Sequence, residues 1–458
     1  MEFFFNKFVL YMFSSLNSHN IFPLPVGHFF AKQPQACYVI YAPLKDLFFL
    51  VTPEEAERLE LNMQQGIMDD IFSSGRDIDA ADIVIPENSG TLTRLFLLLN
   101  EKCNFHCRYC YSAGGRSKDE ISESQMKIMV DQVIKNSVSN NVAGIEITFM
   151  GGGEPLLSLP LIEATVHYAE FQAREKGKHV RFSISTNGSL VTSEVLDLFL
   201  KHSFDVQVSF EILPDVQNDQ RGQYTVVHSN ILRMLERGLP LCLRSTITDL
   251  NVDRMKEMVK ISVADYPQVK TLVFEPVVDT ETYSTSKLMK EFYNRFTSSF
   301  HEASHLAKKH GLTLSNSAYG TIRILKKRFC SPIFCLTPFG TLMDCPNVSS
   351  PLEPGYMERI YGNIHHGEVR IDKEAYMRIM TNYLETDPRC QQCWAKWNCG
   401  GGCRHQRLVY NVSQFEASCC YFKEILLQSI ISDIAEKFQK QQGKDFFKHV
   451  ASLLTSKY

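Results

Sequence analysis

Apolar and polar residues follow two alternating patterns through the middle of the chain. Short runs rich in Val, Ile, Leu and Phe predict strands, and amphipathic stretches such as Glu123–Lys135 and Val191–Lys201 between them predict helices. Strands separated by helices predict an α/β fold with a parallel sheet and right-handed crossovers, and six such units make a partial (β/α)6 barrel. Reactive groups in such a fold belong at the C-terminal ends of the strands. The predicted strands are Thr93–Asn100, Gly144–Met150, Val180–Thr186, Val206–Phe210, Leu241–Thr248 and Val269–Val277.

Two regions flank the predicted barrel. The first is a small α+β module with a hairpin and a helix capped by Thr52, and the last is rich in cysteines and turns. We expect three domains, at residues 1–90, 91–315 and 316–458. The hairpin is predicted from Cys37–Tyr41 and Leu47–Val51, and the two helices from Pro53–Leu61 and Phe422–Gln439.

Cysteine usage narrows the class of protein. The chain has 458 residues and 14 cysteines, all of which fall into spaced groups except Cys37 and Cys242, which we expect to be buried as small apolar residues. Disulfide frameworks are typical of short secreted chains, and this chain is long. The apolar stretch within residues 1–16 is too short to span a bilayer and has no clear small-residue cleavage site. We therefore expect a cytoplasmic protein whose grouped cysteines bind metal.

The charge balance argues against some partners. The net charge is −3, from 48 basic and 51 acidic residues. This balance gives no basic surface for nucleic acid or for anionic lipid. We expect no nucleic-acid partner and no membrane partner, and a small or peptidic substrate is favoured.

The first cysteine group follows the first predicted strand. Cys103, Cys107 and Cys110 lie within eight residues, so that three thiolates can bind three corners of an iron–sulfur cube and leave the fourth iron open. A zinc site that uses His106 is the alternative. The spacing, with Tyr109 before the last cysteine, resembles the signature of the radical S-adenosylmethionine (SAM) superfamily. The resemblance implies a catalytic 4Fe–4S cluster on these three cysteines, with SAM on the open iron.

Later motifs, each at the end of a predicted strand, resemble the SAM-binding motifs of the same superfamily. Gly151–Pro155 resembles its Gly-Gly-Glu-Pro motif, and Ser185–Gly188 resembles its ribose-contacting Ser-Thr-Asn-Gly motif. Each motif alone fits an ordinary turn, and their order along the strands makes the set specific. The resemblance implies SAM contacts from Tyr109, Gly152, Gly153, Glu154, Ser185, Asn187, Ser209 and Arg221.

Nine further cysteines lie in the C-terminal region, and eight thiolates can close two four-iron clusters. Their spacing, with Gly340 between the second and third, resembles the SPASM extension of radical SAM maturases. One or two structural zinc ribbons are the alternative. By the resemblance, the first auxiliary cluster takes Cys330, Cys335, Cys345 and Cys403, and the second takes Cys390, Cys393, Cys399 and either Cys419 or Cys420.

The resemblance also implies a reaction. SAM is cleaved reductively to methionine and a 5′-deoxyadenosyl radical, which abstracts hydrogen from the substrate, and the auxiliary clusters accept an electron or orient the substrate. An electron donor such as flavodoxin or ferredoxin is then required. A non-enzymatic iron–sulfur electron-transfer or zinc-binding protein would explain the cysteines, but it would leave the SAM-type motifs unexplained.

Two enzymatic functions fit this reaction. One is a maturase that oxidatively modifies, and most simply crosslinks, side chains of a ribosomally made precursor peptide. The other is an anaerobic sulfatase maturase, which resembles this chain but places Asp directly after the cysteine that matches Cys345, where this chain has Pro346. The first function is therefore favoured. In that branch an N-terminal module often binds the leader peptide as an added strand, and the alternative for residues 1–90 is a simple cap.

Overall fold

A computed structural model describes residues 13–29 and 37–455 of the chain. Most of the N-terminal apolar stretch, residues 1–12, lies outside this described part. None of the helices in the described part of the chain combines the length and the apolar character that crossing a membrane requires.

The N-terminal module contains a three-stranded antiparallel sheet. The predicted hairpin is confirmed, with Asp46 in the left-handed conformation (φ 47°) at its turn. The predicted helix is also confirmed, since Thr52 and Glu55 form a reciprocal capping box at its start. The sequence does not predict the first strand, because its two prolines disfavour pairing except at a sheet edge, where it lies. The elements are α1 Ser14–Ser18, β1 Phe22–Pro25, β2 Tyr38–Ala42, β3 Leu47–Val51 and α2 Pro53–Gln64.

All six predicted barrel strands are neighbours in one parallel sheet, which confirms the α/β fold. Two three-residue strands extend the parallel part: β10 pairs with β9, and β11 pairs with β4. The described sheet has 11 strands and is open, with β10 and β14 at its two edges. The strands are β4 Arg94–Leu98, β5 Gly144–Met150, β6 His179–Thr186, β7 Asp205–Ser209, β8 Leu241–Ile247, β9 Thr271–Pro276, β10 Thr313–Ser315, β11 Phe334–Leu336, β12 Thr341–Met343, β13 Ile360–His365 and β14 Glu368–Ile371.

Helices between these strands share one continuous apolar core with the sheet. Ser122 and Thr192 cap the helices that the amphipathic stretches predict. Phe149, Phe182 and Phe204 stack on one another, with ring centroids 5.3 to 6.3 Å apart, on the side of the sheet that these helices cover. The helices are α3 Glu123–Ser139, α4 Leu159–Glu175, α5 Ser193–Lys201, α6 Pro214–Gln220, α7 Tyr224–Glu236, α8 Met255–Asp265 and α9 Ser286–Lys309.

Besides strands β11 to β14, the C-terminal region contains short helices and one long helix, Val412–Gln442 (α15). The prediction that this helix starts at Phe422 was wrong: it begins at Val412, after a capping box between Asn411 and Gln414. Small and polar residues before Phe422 conceal the helical pattern in the sequence. Cys419 and Cys420 therefore lie within a helix. The helices are α10 Lys373–Ile379, α11 Tyr383–Thr386, α12 Pro388–Gln391, α13 Lys396–Cys399, α14 Arg404–Val409, α15 Val412–Gln442 and α16 Phe446–Thr455.

Candidate metal and SAM site

The loop that carries Cys103, Cys107 and Cys110 follows β4 and is paired with the glycine-rich segment after β5. Gly153 N donates to Asn100 O, and Glu154 N donates to Lys102 O, both at 2.7 Å. A Cβ on Gly153 would lie 1.7 Å from Lys102 O, so only glycine permits this approach. The glycines thus bring two protein loops together, in addition to the ligand approach expected from the sequence.

A positive charge acts on each of the three thiols. Arg116 donates from Nη2 to Cys110 Sγ at 3.1 Å, and it also donates to the Gly152 carbonyl. Burial raises the pKa of Cys103 and of Cys107, and the guanidinium groups of Arg116 and Arg221 oppose these two rises. Because metal binding requires thiolates, the two arginines favour the ligating state of this loop.

The Glu154 carboxylate joins the second motif to the third. It is 2% exposed, and it accepts from Thr186 Oγ1 at 2.6 Å and from Asn187 N at 2.7 Å. The Asn187 side chain in turn donates to Asn104 Oδ1 at 2.9 Å, inside the cysteine loop. Glu154 is therefore a positioning residue that fixes both loops.

Tyr109, Glu211 and Arg221 form a largely buried network beside Cys107. Arg221 Nη1 donates to the Tyr109 hydroxyl at 2.8 Å, and the Tyr109 hydroxyl donates to the Glu211 carboxylate. Burial raises the pKa of Glu211 to about 7, while Arg221 and Tyr109 act to lower it. Arg221 Nε is buried without a hydrogen-bond partner, so one donor of this guanidinium is left for an anionic ligand. The role of Glu211 in this network is not predictable from its position in the sequence.

The predicted SAM contacts lie together at the C-terminal ends of β4 to β7. Ser185, near the end of β6, accepts from Gln207 Nε2 at 3.1 Å, and Ser209 is the last residue of β7. The free donor of Arg221 suits the carboxylate of SAM, and the cysteine trio suits a cluster with an open iron. The residues present therefore fit both groups.

The first auxiliary set of thiols includes Cys335, the central residue of β11. Electrostatic interactions connect Cys335 with Cys345, Cys345 with Cys403, and Cys403 with Cys330. Burial raises the pKa of Cys345 to about 12 and that of Cys403 to about 11. Such buried thiols ionise only with strong compensation, and metal ions provide it.

Asp344 lies beside this first set and is surrounded by arginines. Its carboxylate is within 3.3 Å of Arg328, 3.2 Å of Arg404 and 3.9 Å of Arg359. The side chain is 2% exposed. Three positive charges around one carboxylate leave a net positive environment, which suits the negative charge of a thiolate-bound cluster.

The second auxiliary set lies between α12, α13 and α15. Cys399 interacts electrostatically with Cys419, Cys393 and Cys390. Arg407 donates to Cys390 Sγ at 3.3 Å and binds the Asp387 carboxylate at 2.8 Å. Cys419 faces this set, as its own interactions with Cys393 and Cys390 indicate. Cys420 follows it on the helix and projects about 100° away, as helical geometry requires.

The spacing of the thiols bears on the zinc alternatives. In the described part of the chain, no three His, Cys, Asp or Glu side chains converge closely enough to bind one metal ion. Ligands of a tetrahedral zinc lie about 3.8 Å apart, given Zn–S bonds near 2.3 Å. Thiolates of a four-iron cluster each bind a different iron and lie farther apart.

Comparisons with known proteins agree with this site. The Radical SAM superfamily model matches residues 97–261. The chain is 28% identical to the radical SAM cyclopropyl synthase TigE of Paramaledivibacter caminithermalis over 27% of this chain and 28% of that protein. It is 31% identical to a serine-type anaerobic sulfatase-maturating enzyme of Klebsiella aerogenes over 27% of this chain and 31% of that protein. The match thus spans about a third or less of these two relatives.

Solved structures share the fold across most of the chain. Native anSMEcpe with bound AdoMet and the Cp18Cys peptide matches with a TM-score of 0.58 and 17% identity, over 74% of this chain and 98% of that one. Streptococcus suis SuiB bound to its precursor peptide SuiA matches with a TM-score of 0.51 and 11% identity, over 83% and 95%. Residues 97–261 therefore match the radical SAM superfamily, and most of the chain shares its fold with these two solved structures.

Proposed function

We propose that this enzyme is a peptide maturase that cleaves SAM reductively and crosslinks side chains of a ribosomally made precursor peptide. The observation that carries the proposal is the joining of the cysteine loop to the later motifs through Glu154 and Asn187, beside the free Nε donor of Arg221. With SAM and a reduced cluster bound at Cys103, Cys107 and Cys110, the site supplies a 5′-deoxyadenosyl radical for hydrogen abstraction.

The chain's own residues would hold SAM and position it. Arg221 offers a donor to its carboxylate, and Tyr109 and Glu211 fix the guanidinium in place. Gly152, Gly153, Ser185, Asn187 and Ser209 would contact the rest of the molecule. Because Glu154 is already occupied by Thr186 and Asn187, its part is to keep the motifs aligned.

Two auxiliary four-iron clusters complete the proposal. Cys330, Cys335, Cys345 and Cys403 would bind the first, and Cys390, Cys393, Cys399 and Cys419 the second. The arginines beside each set support these assignments, since a cluster bound by four thiolates is anionic. The auxiliary clusters would accept an electron from the substrate radical or orient the substrate. Flavodoxin or ferredoxin would reduce the enzyme. All 14 cysteines are free thiols, which supports a reducing, cytoplasmic location.

Similarity to TigE, and to structures solved with bound peptides, supports a peptide substrate. The N-terminal sheet offers β3 as an edge strand, where a leader peptide could pair. A sulfatase maturase is the second candidate, because the Klebsiella enzyme is a relative. Asp344 is poorly placed to act as the base for that reaction, since it is buried among three arginines.

The test is anaerobic reconstitution followed by incubation with SAM, dithionite and a short peptide encoded beside the gene. We expect about 12 irons per chain, 5′-deoxyadenosine, and a peptide that has lost two hydrogen atoms. A crosslink suppresses fragmentation between the joined residues, whereas a formylglycine aldehyde reacts with a hydrazide probe. Ala variants of Cys103, Cys107 and Cys110 should form no 5′-deoxyadenosine, and the variant C37A should behave as the wild type. A SAM-inert wild-type enzyme with three clusters would exclude the proposal.

A further inference from the structure

Strands β4 to β9 line a cavity of about 550 Å³ on one face of the sheet. Side chains that alternate along the strands point into it, among them Thr148, Ser183, Gln207, Cys242 and Arg244. The expectation that Cys242 is buried as a small apolar residue was wrong, because it is partly exposed to this cavity. The lining thus mixes these polar side chains with apolar ones such as Phe96 and Met150, and it reaches Ser185 of the predicted SAM site.

Four charged residues line the cavity, and three of them already have partners. Glu146 binds Arg94 at 3.1 Å, and Asp205 binds Arg181 at 3.1 Å. Lys270, exposed at the far rim, donates to the Pro267 carbonyl at 3.3 Å. No carboxylate of the described residues comes within ion-pair distance of the remaining one, Arg244, whose charge acts on the buried Glu211 carboxylate only at longer range. Since an arginine keeps its charge at all physiological pH values, this one can bind an anion.

Arg244 lies on β8, level with the C-terminal end of the neighbouring strand β7. It pairs in register with Ser209 at the end of β7. The Tyr111 side chain is half exposed. It interacts electrostatically with Arg244, with Cys110 of the cysteine loop and with Cys345 of the first auxiliary set. Arg244 is therefore near the space between the two metal-binding regions.

The carboxylate of SAM is a less suitable partner for Arg244. Among charged residues, Arg221 has the largest effect on Cys107 and Arg116 has the largest effect on Cys103. These two arginines, one of them with a free donor, lie at the loop where SAM is expected. Arg244 is left for a second anion.

We infer that Arg244 anchors a carboxylate of the peptide substrate, from an Asp or Glu side chain or from a free C terminus, in the cavity below the SAM site. The inference rests on the proposed peptide-maturase function. A bidentate pair of Arg244 with this carboxylate would fix the peptide with its reacting residue toward the cysteine loop. Arg244 would then determine which residue of the peptide is modified.

The experiment measures binding of blocked pentapeptides to the reconstituted, SAM-loaded enzyme by calorimetry. The probes are Ala-Ala-Asp-Ala-Ala, its Asn counterpart, and the Asn peptide with a free C terminus. We expect the wild type to bind at least one carboxylate probe tenfold or more tightly than the blocked Asn peptide. R244Q should lose this preference, R244K should keep part of it, and the control K270Q should keep all of it.

Several results would overturn the inference. One is that the wild type binds all probes equally or binds none of them detectably. Another is that R244Q keeps the wild-type preference for a carboxylate probe. A third is that R244Q binds SAM ten times more weakly, which would assign Arg244 to SAM. A failure of the proposed function is seen separately, as absence of 5′-deoxyadenosine when the wild type is reduced with dithionite and SAM alone. The two failures are thus distinguished by different assays.

Discussion

Arg221 and Tyr109 are joined by a 2.8 Å hydrogen bond across 112 positions of the sequence. The bond links the end of α6 to the cysteine loop, and it places the guanidinium beside both Cys107 and Glu211. Residues far apart in the chain thus act as one unit at the proposed SAM site.

Removing the Tyr109 hydroxyl should weaken this unit. In Y109F, Glu211 loses a donor while it remains buried, so we expect a loss of about 1–3 kcal/mol in unfolding free energy and weaker SAM binding. Denaturant unfolding and equilibrium dialysis measure the two effects. The control Y168F removes a hydroxyl that donates to the exposed Asp131, and it should change neither. Equal effects of both variants would contradict this account.

Substitution of the adjacent cysteines on α15 should separate their roles. C419A should reduce the iron content from about 12 to about 8 atoms per chain, because one four-iron cluster loses a ligand. C420A should keep all the iron, since its side chain projects from another part of the helix. Iron and sulfide analysis with low-temperature EPR decides between them, and the reverse result would reassign the ligand.

The charge of Arg407 should tune the second auxiliary cluster. R407Q removes a positive charge and a hydrogen bond to Cys390 Sγ, so we expect a more negative reduction potential for one cluster. EPR-monitored redox titration measures it. R389Q is the matched control, because Arg389 also pairs with Asp387 but has no hydrogen bond to a cysteine sulfur in the described structure. A shift of the same size in R389Q would argue against the sulfur contact as the cause.

Asn398 should couple the N-terminal module to the same cluster. It accepts from the Tyr41 hydroxyl at 2.6 Å and donates to the Thr321 carbonyl at 2.9 Å, directly before Cys399. N398A should lower the unfolding free energy by about 1–3 kcal/mol and make cluster loss faster under a chelator. Y41F should have a smaller effect of the same kind. Chelator kinetics that match the wild type in both variants would show that the module does not support the cluster.

The sequence predicts the central strands because each contains a run of branched and aromatic apolar residues bounded by turns. It does not predict β10 and β11, since three residues carry too little pattern and the pairing of β11 with β4 depends on contacts more than 200 residues apart. The start of α15 is missed for a related reason, because its first turns bury small and polar side chains such as Ser418.

Some residues of the candidate site can be predicted from the sequence, and others can be identified only in the fold. Cysteine spacing and glycine-rich turns are local, so they can be recognised in the sequence. Glu211 and Arg244 are single charged residues whose roles depend on their neighbours in the fold. Glu211 belongs to a buried hydrogen-bond network, and Arg244 lines a cavity without forming an ion pair among the described residues. A charged residue just after a strand, as Glu211 is, and a charged residue within an apolar strand, as Arg244 is, are the sequence signals that could have identified both as candidates.

The parallel pairing of β11 with β4, which sets Cys335 opposite Phe96, limits how such proteins can exchange parts during evolution. A cysteine-rich C-terminal segment from another protein would need a strand whose side chains fit this edge before it could bring its metals near the radical. Recombination between the barrel and the C-terminal region would leave the edge of β4 without its partner strand β11. We therefore expect the two cysteine-containing regions to be inherited together.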